Sequence, residues 1–271
     1  MKKFIVMITA MLLALALLGG CAKSNMNQPA IPSDTTTTEP ATEPATEPAT
    51  EPATESTAPE SEDDVVYEGD ASSYYIDVVY AEQIERYYTA LSQQWNEGTY
   101  LENGMSAMAA YYYEGNALDN VGFTFMDLDG DGIWELIIGA IQNAEQSPVV
   151  FEIWALKNDE PVMLIQSGAR NCYYLQYDPE AELWSVANEA ANSAANHAVY
   201  YMQLMDGEFQ VTQGVIFDAA ANESAPWFMT YDLDWDVSND DPIDEDLAIA
   251  IMDAGSRLYT AVEYFPYSLY K

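Results

Sequence analysis

The chain has 271 residues, with 45 Asp and Glu against 8 Lys and Arg, two cysteines, one histidine and a formal net charge of −37. That balance excludes a nucleic-acid partner, whose phosphates need Lys and Arg to neutralise them, and docking on anionic lipid through a basic patch. One histidine and two cysteines exclude multi-histidine and Cys₄ zinc sites, and 49% hydrophobic residues with 20 Tyr and 6 Trp exclude a chain disordered throughout.

Residues 1–20 read as a secretory signal of the lipoprotein type. Lys2 and Lys3 form the positive start, and Phe4 to Leu18 is an apolar run broken only by Thr9. Fifteen residues are fewer than the roughly 18–20 a spanning helix needs and suit the apolar core of a signal. Leu18-Gly19-Gly20-Cys21 follows, which resembles a bacterial lipobox. Cleavage before Cys21 and acylation of its thiol and new amine, palmitate included, would anchor the mature chain by lipid on the extracellular face of the cell membrane. With Cys21 taken by lipid, Cys172 has no cystine partner in the chain and reads as a small buried hydrophobe in the strand-like run Asn171 to Leu175.

Residues 21–66 form a Thr/Pro/Glu-rich linker. Glu-Pro-Ala-Thr repeats four times from Glu39 to Thr54, and Glu60 to Asp64 is acidic. A proline every fourth residue blocks helix and favours extended polyproline II, while the spaced glutamates repel one another. At ~3.1 Å per residue such a segment reaches on the order of 140 Å, a disordered stalk.

From residue 67 to 271 the composition is that of one globular domain. All 20 tyrosines and all 6 tryptophans lie there, with 35 acids and five bases, a net charge of −30. Ile76, Val79, Tyr80, Ile84, Tyr87, Tyr88 and Leu91 follow a 3.6 period, which predicts an amphipathic helix over 75–95, ended by Asn96-Glu97-Gly98. Met105 to Tyr113 reads as a short second helix. Eight apolar or alternating runs then predict strands over 121–126, 133–141, 149–156, 161–167, 171–177, 183–188, 197–204 and 208–217. Turn signals such as Asp129-Gly130, Asp178-Pro179 and Asp206-Gly207 separate them. Asp241-Pro242 reads as the start of a last helix over 243–254, with Gly255 as its cap. The expected fold is α+β, an antiparallel meander with an N-terminal and a C-terminal helix.

The specific stretch is Asp127-Leu128-Asp129-Gly130-Asp131-Gly132-Ile133-Trp134-Glu135. Asp127, Asp129 and Asp131 stand at positions 1, 3 and 5 of a calcium loop. Gly132 stands at the sharp turn of position 6, Ile133 at the main-chain carbonyl of position 7, and Glu135 at position 9. Hard oxygen donors from alternate positions suit Ca²⁺. Position 12 is Ile138 rather than the bidentate glutamate of an EF-hand, and both flanks read as strands. The loop resembles the Asp-x-Asp-Gly-Asp-Gly loops of FG-GAP and VCBS-type repeats, and differs from dockerin, whose loops lead into helices. With the lipobox, the Thr/Pro/Glu stalk, the Tyr-rich helix and the run Arg170 to Tyr174, the chain resembles a group of surface lipoproteins of Gram-positive bacteria. The resemblance implies a location and a structural calcium ion, and no activity.

Other signals are weaker. Asp232, Asp234 and Asp236 alternate with Tyr231, Leu233 and Trp235, as on a strand with a carboxylate face. That pattern reads as a solvated face before it reads as a second cation site. His197 is the only imidazole, at a strand start, and no nucleophile elbow accompanies it. Two functional classes follow. One is a surface binding module for a cell-wall, glycan or protein ligand; the other is a secreted, carbohydrate- or wall-directed hydrolase using acidic residues. Neither assigns a catalytic residue.

Overall fold

The structure, a computed structural model, describes residues 71–141 and 149–271. The signal, the lipidated Cys21 and the linker expected over 1–66 lie outside the described residues.

Among the described residues, eleven strands build one antiparallel sheet. They are β1 (Val121–Met126), β2 (Glu135–Ala140), β3 (Val149–Lys157), β4 (Glu160–Gln166), β5 (Asn171–Asp178), β6 (Leu183–Ser193), β7 (Asn196–Met205), β8 (Glu208–Asp218), β9 (Trp227–Thr230), β10 (Asp241–Pro242) and β11 (Phe265–Pro266). Their order is β10-β9-β8-β7-β6-β5-β3-β2-β1-β11, with β4 paired to β3 beside this path. The molecule is therefore a β-rich α+β protein, and the expected strands lie close to their expected positions. β3 forks the sheet: Val149 and Val150 pair with β5, while Glu152 to Lys157 pair with β4.

Both faces of the central strands are covered. Every residue of β2 is buried, because Leu136 and Ile138 enter one core and Ile137 the other, as the two-residue period of a strand requires. The first core joins the sheet to the N-terminal helices through Tyr80, Ile84, Tyr87, Tyr100, Phe123 and Phe151. The second is made chiefly by the strands themselves, with Ile137, Ile153, Leu175, Val186, Met202 and Ile216 among its members.

The helices are α1 (Ala71–Tyr74), α2 (Ala81–Ser92), α3 (Glu97–Glu102), α4 (Ala117–Asn120) and α5 (Glu245–Ser256). A π-turn over Tyr75–Val79 precedes α2, and a 3₁₀ helix spans Ala107–Tyr112 where the second helix was expected. The single helix expected over 75–95 is interrupted at Tyr80, whose N–H reaches back five residues to Tyr75 O at 2.9 Å. Tyr80 is fully buried and its hydroxyl donates to Trp134 O at 3.0 Å, so tertiary anchoring overrides helical regularity there. Asn96 does not end this helix but begins the next: its Oδ1 accepts from Thr99 N at 3.1 Å and caps α3.

The C-terminal region departs further from expectation. Asp241-Pro242 forms β10, and α5 is capped three residues later by Asp244, whose side chain accepts from Leu247 N at 2.8 Å. Gly255 lies inside α5 rather than beyond it, and a Cβ there would collide with the Tyr201 ring. β11 escapes the sequence patterns because it has two residues, yet it pairs with Gly122 and Phe123 of β1. The turn after it buries Tyr267 against Phe123, with ring centroids 5.2 Å apart, and against Tyr87 at 6.3 Å. Cys172 is 1% exposed, as a small core residue should be.

Candidate functional site

Asp127 to Trp134 connects β1 to β2, whose terminal residues Met126 and Glu135 are register partners. Two glycines let the chain turn, Gly130 with φ 80° and Gly132 with φ 88°, a region where a side chain is strained. The aspartates then close the loop on itself. Asp127 accepts from Gly130 N at 2.7 Å through Oδ1 and from Gly132 N at 3.0 Å through Oδ2. Asp131 Oδ1 accepts from Ile133 N at 2.7 Å, and Asp129 Oδ1 more weakly from Asp131 N at 3.3 Å. Leu128 points into the second core and anchors the loop, while its N–H donates to Glu135 Oε2 at 2.8 Å.

Asp127, Asp129 and Glu135 each offer one carboxylate oxygen, and the three oxygens lie within 4.8 Å of one another. Among the described residues this is the one group of acidic, histidine or cysteine ligand atoms spaced to share an ion. Asp131, the fourth expected carboxylate, is outside it. Ile133, expected to contribute its carbonyl, is the residue whose N–H Asp131 holds.

The charge of this group is uncompensated. Glu135 is 3% exposed, and its carboxyl is pushed up to about 7. Burial is the largest cause, the Leu128 N–H opposes it, and the carboxylates of Asp129, Asp131 and Asp127 add to it. Asp129 is also raised, first by burial and then by its acidic neighbours. A proton on Glu135, or a cation between the three oxygens, would relieve this repulsion. Carboxylate donors with no nitrogen or sulfur suit hard cations, Ca²⁺, Mg²⁺ and Mn²⁺ among them.

Aromatic residues brace the loop's exit. Tyr75 OH accepts from Trp134 N at 3.2 Å and its ring stacks on Trp134 at 5.3 Å, while Tyr80 OH donates to Trp134 O. These tyrosines read in the sequence as one face of a helix; their contact with the loop carries no local signal. On its other side the loop borders a cavity of about 650 Å³, shared with the β3–β4 turn at Lys157 and the β7–β8 turn at Asp206. Lys157 and Glu208 join those two turns at 3.0 Å.

The second acidic run is not a strand. Residues 231–236 form a strap, bent over 231–233, in which each carboxylate accepts the N–H two residues on: Asp232 from Asp234 at 3.2 Å, Asp234 from Asp236 at 2.8 Å, and Asp236 from Ser238 at 3.0 Å. His197 lies on β7, its ring stacked on Phe217 at 4.8 Å and edge-on to Trp227 at 6.0 Å. Its Nδ1 is buried without a partner, and burial lowers its pKa, so the imidazole is a neutral packing element.

Comparison with protein-family models, with curated proteins and with solved structures finds no match to this chain.

Proposed function

We propose that this chain is a lipid-anchored surface module that binds a ligand, and that its β1–β2 loop holds one structural Ca²⁺. The observation that carries the metal reading is the convergence of Asp127, Asp129 and buried Glu135 on one point. An ion there would replace self-repulsion with attraction and tie β1 to β2. Asp131 and the Ile133 carbonyl complete the shell after a small adjustment of the loop. Extracellular calcium modules bind at ~10⁻⁴–10⁻³ M, which suits a protein outside the cell. Mg²⁺ fits less well, since it keeps its waters and demands a tighter octahedron.

The lipid anchor rests on Lys2, Lys3, the apolar run and Leu18-Gly19-Gly20-Cys21. Lipid on the Cys21 thiol and a disulfide between the chain's two cysteines exclude one another. The intact mass of the mature protein therefore distinguishes them: a diacylglyceryl-plus-acyl increment supports the anchor, and a two-proton deficit with no lipid rejects it. The binding reading is preferred to the hydrolase because Glu135, the buried carboxyl of the loop, is already engaged by Leu128 N–H.

The test of the ion is a thermal melt in chelator and in millimolar Ca²⁺. At ten times Kd, binding to the native state alone adds about 1.4 kcal/mol, or a rise of a few degrees for a domain of this size. Equal midpoints in the two buffers would leave the loop a metal-free turn.

A further inference from the structure

A second cavity, of about 270 Å³, opens on the sheet face of the second core, away from the metal loop. Its floor is a row across three strands. Tyr173 of β5 is the register partner of Asn188 of β6, and Asn188 of Tyr200 of β7. Room above the floor comes from Ala190 and Ala191. Gly214 of β8 gives Tyr200 its place, since a Cβ there would stand 2.8 Å from the Tyr200 ring. The roof is the 231–236 strap, which carries Leu233 and Trp235 over the row, Trp235 edge-on to Tyr200 at 6.2 Å. The three aspartates thus have a task that needs no cation: their serial hydrogen bonds stiffen the strap that holds Trp235 in place.

The polar groups leave a defined set of unused valences. Asn188 is 3% exposed and spends both amide protons, on Asn171 Oδ1 at 2.7 Å and Cys172 O at 3.2 Å, so its Oδ1 remains an acceptor. Asn171 Nδ2 donates to Tyr173 OH at 3.4 Å, which leaves the phenol proton to donate. Arg170 is exposed, and among the described residues its guanidinium makes one hydrogen bond, to Asn192 O at 3.4 Å. Among the described residues it has no ion-pair partner, although the domain around it carries −30. The ligand must therefore supply both donors and acceptors along one edge and an apolar face for Trp235. Charge narrows it further. Arg170 disfavours a cation. The carboxylates of Asp232, Asp240 and Asp234, after burial, hold the Tyr200 phenol above its ordinary value, and the same carboxylates disfavour an anion. The volume falls below the ~300–1,000 Å³ of drug-sized pockets and admits one ring.

We infer that this cavity binds a single neutral sugar ring at the end of a glycan, its C–H face on Trp235 and its hydroxyls on Asn188, Tyr173 and Arg170. A hydroxyl donates and accepts at once, which is what this edge requires, and aromatic rings take up the apolar face of such ligands without a charge. The inference rests on the binding-module reading and gives that reading a ligand class.

The experiment uses the purified full chain in detergent. It is titrated with the methyl glycosides of glucose, galactose, mannose and N-acetylglucosamine, and binding is read by saturation-transfer NMR. At least one glycoside should saturate. Trp235→Ala and Arg170→Ala should each weaken it about tenfold. Trp235→Phe, which keeps an aromatic face, should retain most of it. Binding that survives both Trp235→Ala and Arg170→Ala, with melting midpoints as in the parent, overturns the location. Saturation by none of the four at tens of millimolar overturns the ligand class, as does selective binding of a peptide in this cavity. Protease accessibility on intact cells reports separately on the parent reading: a chain shielded there is not a surface module, whatever the glycosides do.

Discussion

Two stretches of this chain carry the same signature of alternating aspartates, 127–131 and 232–236, and they fold to different ends. In the first, glycines at 130 and 132 take positive φ, the chain doubles back, and Asp127 and Asp129 meet Glu135 from the next strand. In the second there is no glycine, the chain only bends over 231–233, and the three carboxylates stay solvated. The spacing of acids is common to both. The bond from a carboxylate to the N–H two residues on occurs in both runs; what gathers oxygens around one point in the first is the permission to turn and the buried acid on the strand that follows.

The contrast can be broken most sharply at Asp127. It holds two loop N–H groups as well as a ligand position, so Asp127→Ala should remove the Ca²⁺ response and also cost about 2 kcal/mol in chelator, several degrees in the melt. Next comes Glu135→Gln, whose two effects have opposite signs. The Ca²⁺ shift should vanish, yet in chelator at pH 8 the variant should melt above the parent, because it no longer buries a charge. The pH dependence follows. The folded-state pKa of Glu135 lies at about 7, above the usual 4.5, so the folded chain binds the extra proton between those values. In chelator its contribution is full below about pH 4.5 and is lost as pH rises through 7. The parent melt should accordingly fall relative to Glu135→Gln across that window, and Ca²⁺ should flatten the difference. Gly132→Ala should cost about 1 kcal/mol through its positive φ and weaken Ca²⁺ binding by distorting the turn. The smallest effect belongs to the other stretch. Asp234→Ala should shift the melt by no more than ~0.5–1 kcal/mol and leave the Ca²⁺ response intact. A lost response there would place the ion at the strap.

The loop and most of the sheet are legible in the sequence because their causes are local. Alternation over 171–177 and 208–217, bounded by Asp-Pro and Asp-Gly turns, is enough to set strands and their order along the meander. The failures come from causes that are not local. Tyr80 breaks its helix to reach Trp134, 54 residues away. Gly255 is small because Tyr201 presses on α5, and it only resembles a cap. The strap over 231–236 alternates like a strand but has no neighbour to pair with, and side-chain bonds take the place of a ladder. Within the metal loop, Asp131 matches the ligand spacing as well as Asp127 does. Only the fold reveals that the oxygens converging on one point are those of Asp127, Asp129 and Glu135.

The pairing of β11 with β1 has a consequence for how the protein is made. Strand β1 emerges early, with Phe123 already in place, but its outer edge and the lid on Tyr87 are supplied by Phe265, Pro266 and Tyr267 near the end of the chain. At translation speeds of ~5–20 residues per second that interval is on the order of ten seconds. Throughout it the aromatic face around Phe123 and Tyr87 stands open and the edge of β1 can pair with a stranger. A nascent chain must therefore be kept unfolded, or shielded, until β11 and Tyr267 have followed. A ribosome that stops short of Tyr267 releases a product with a hole in its core.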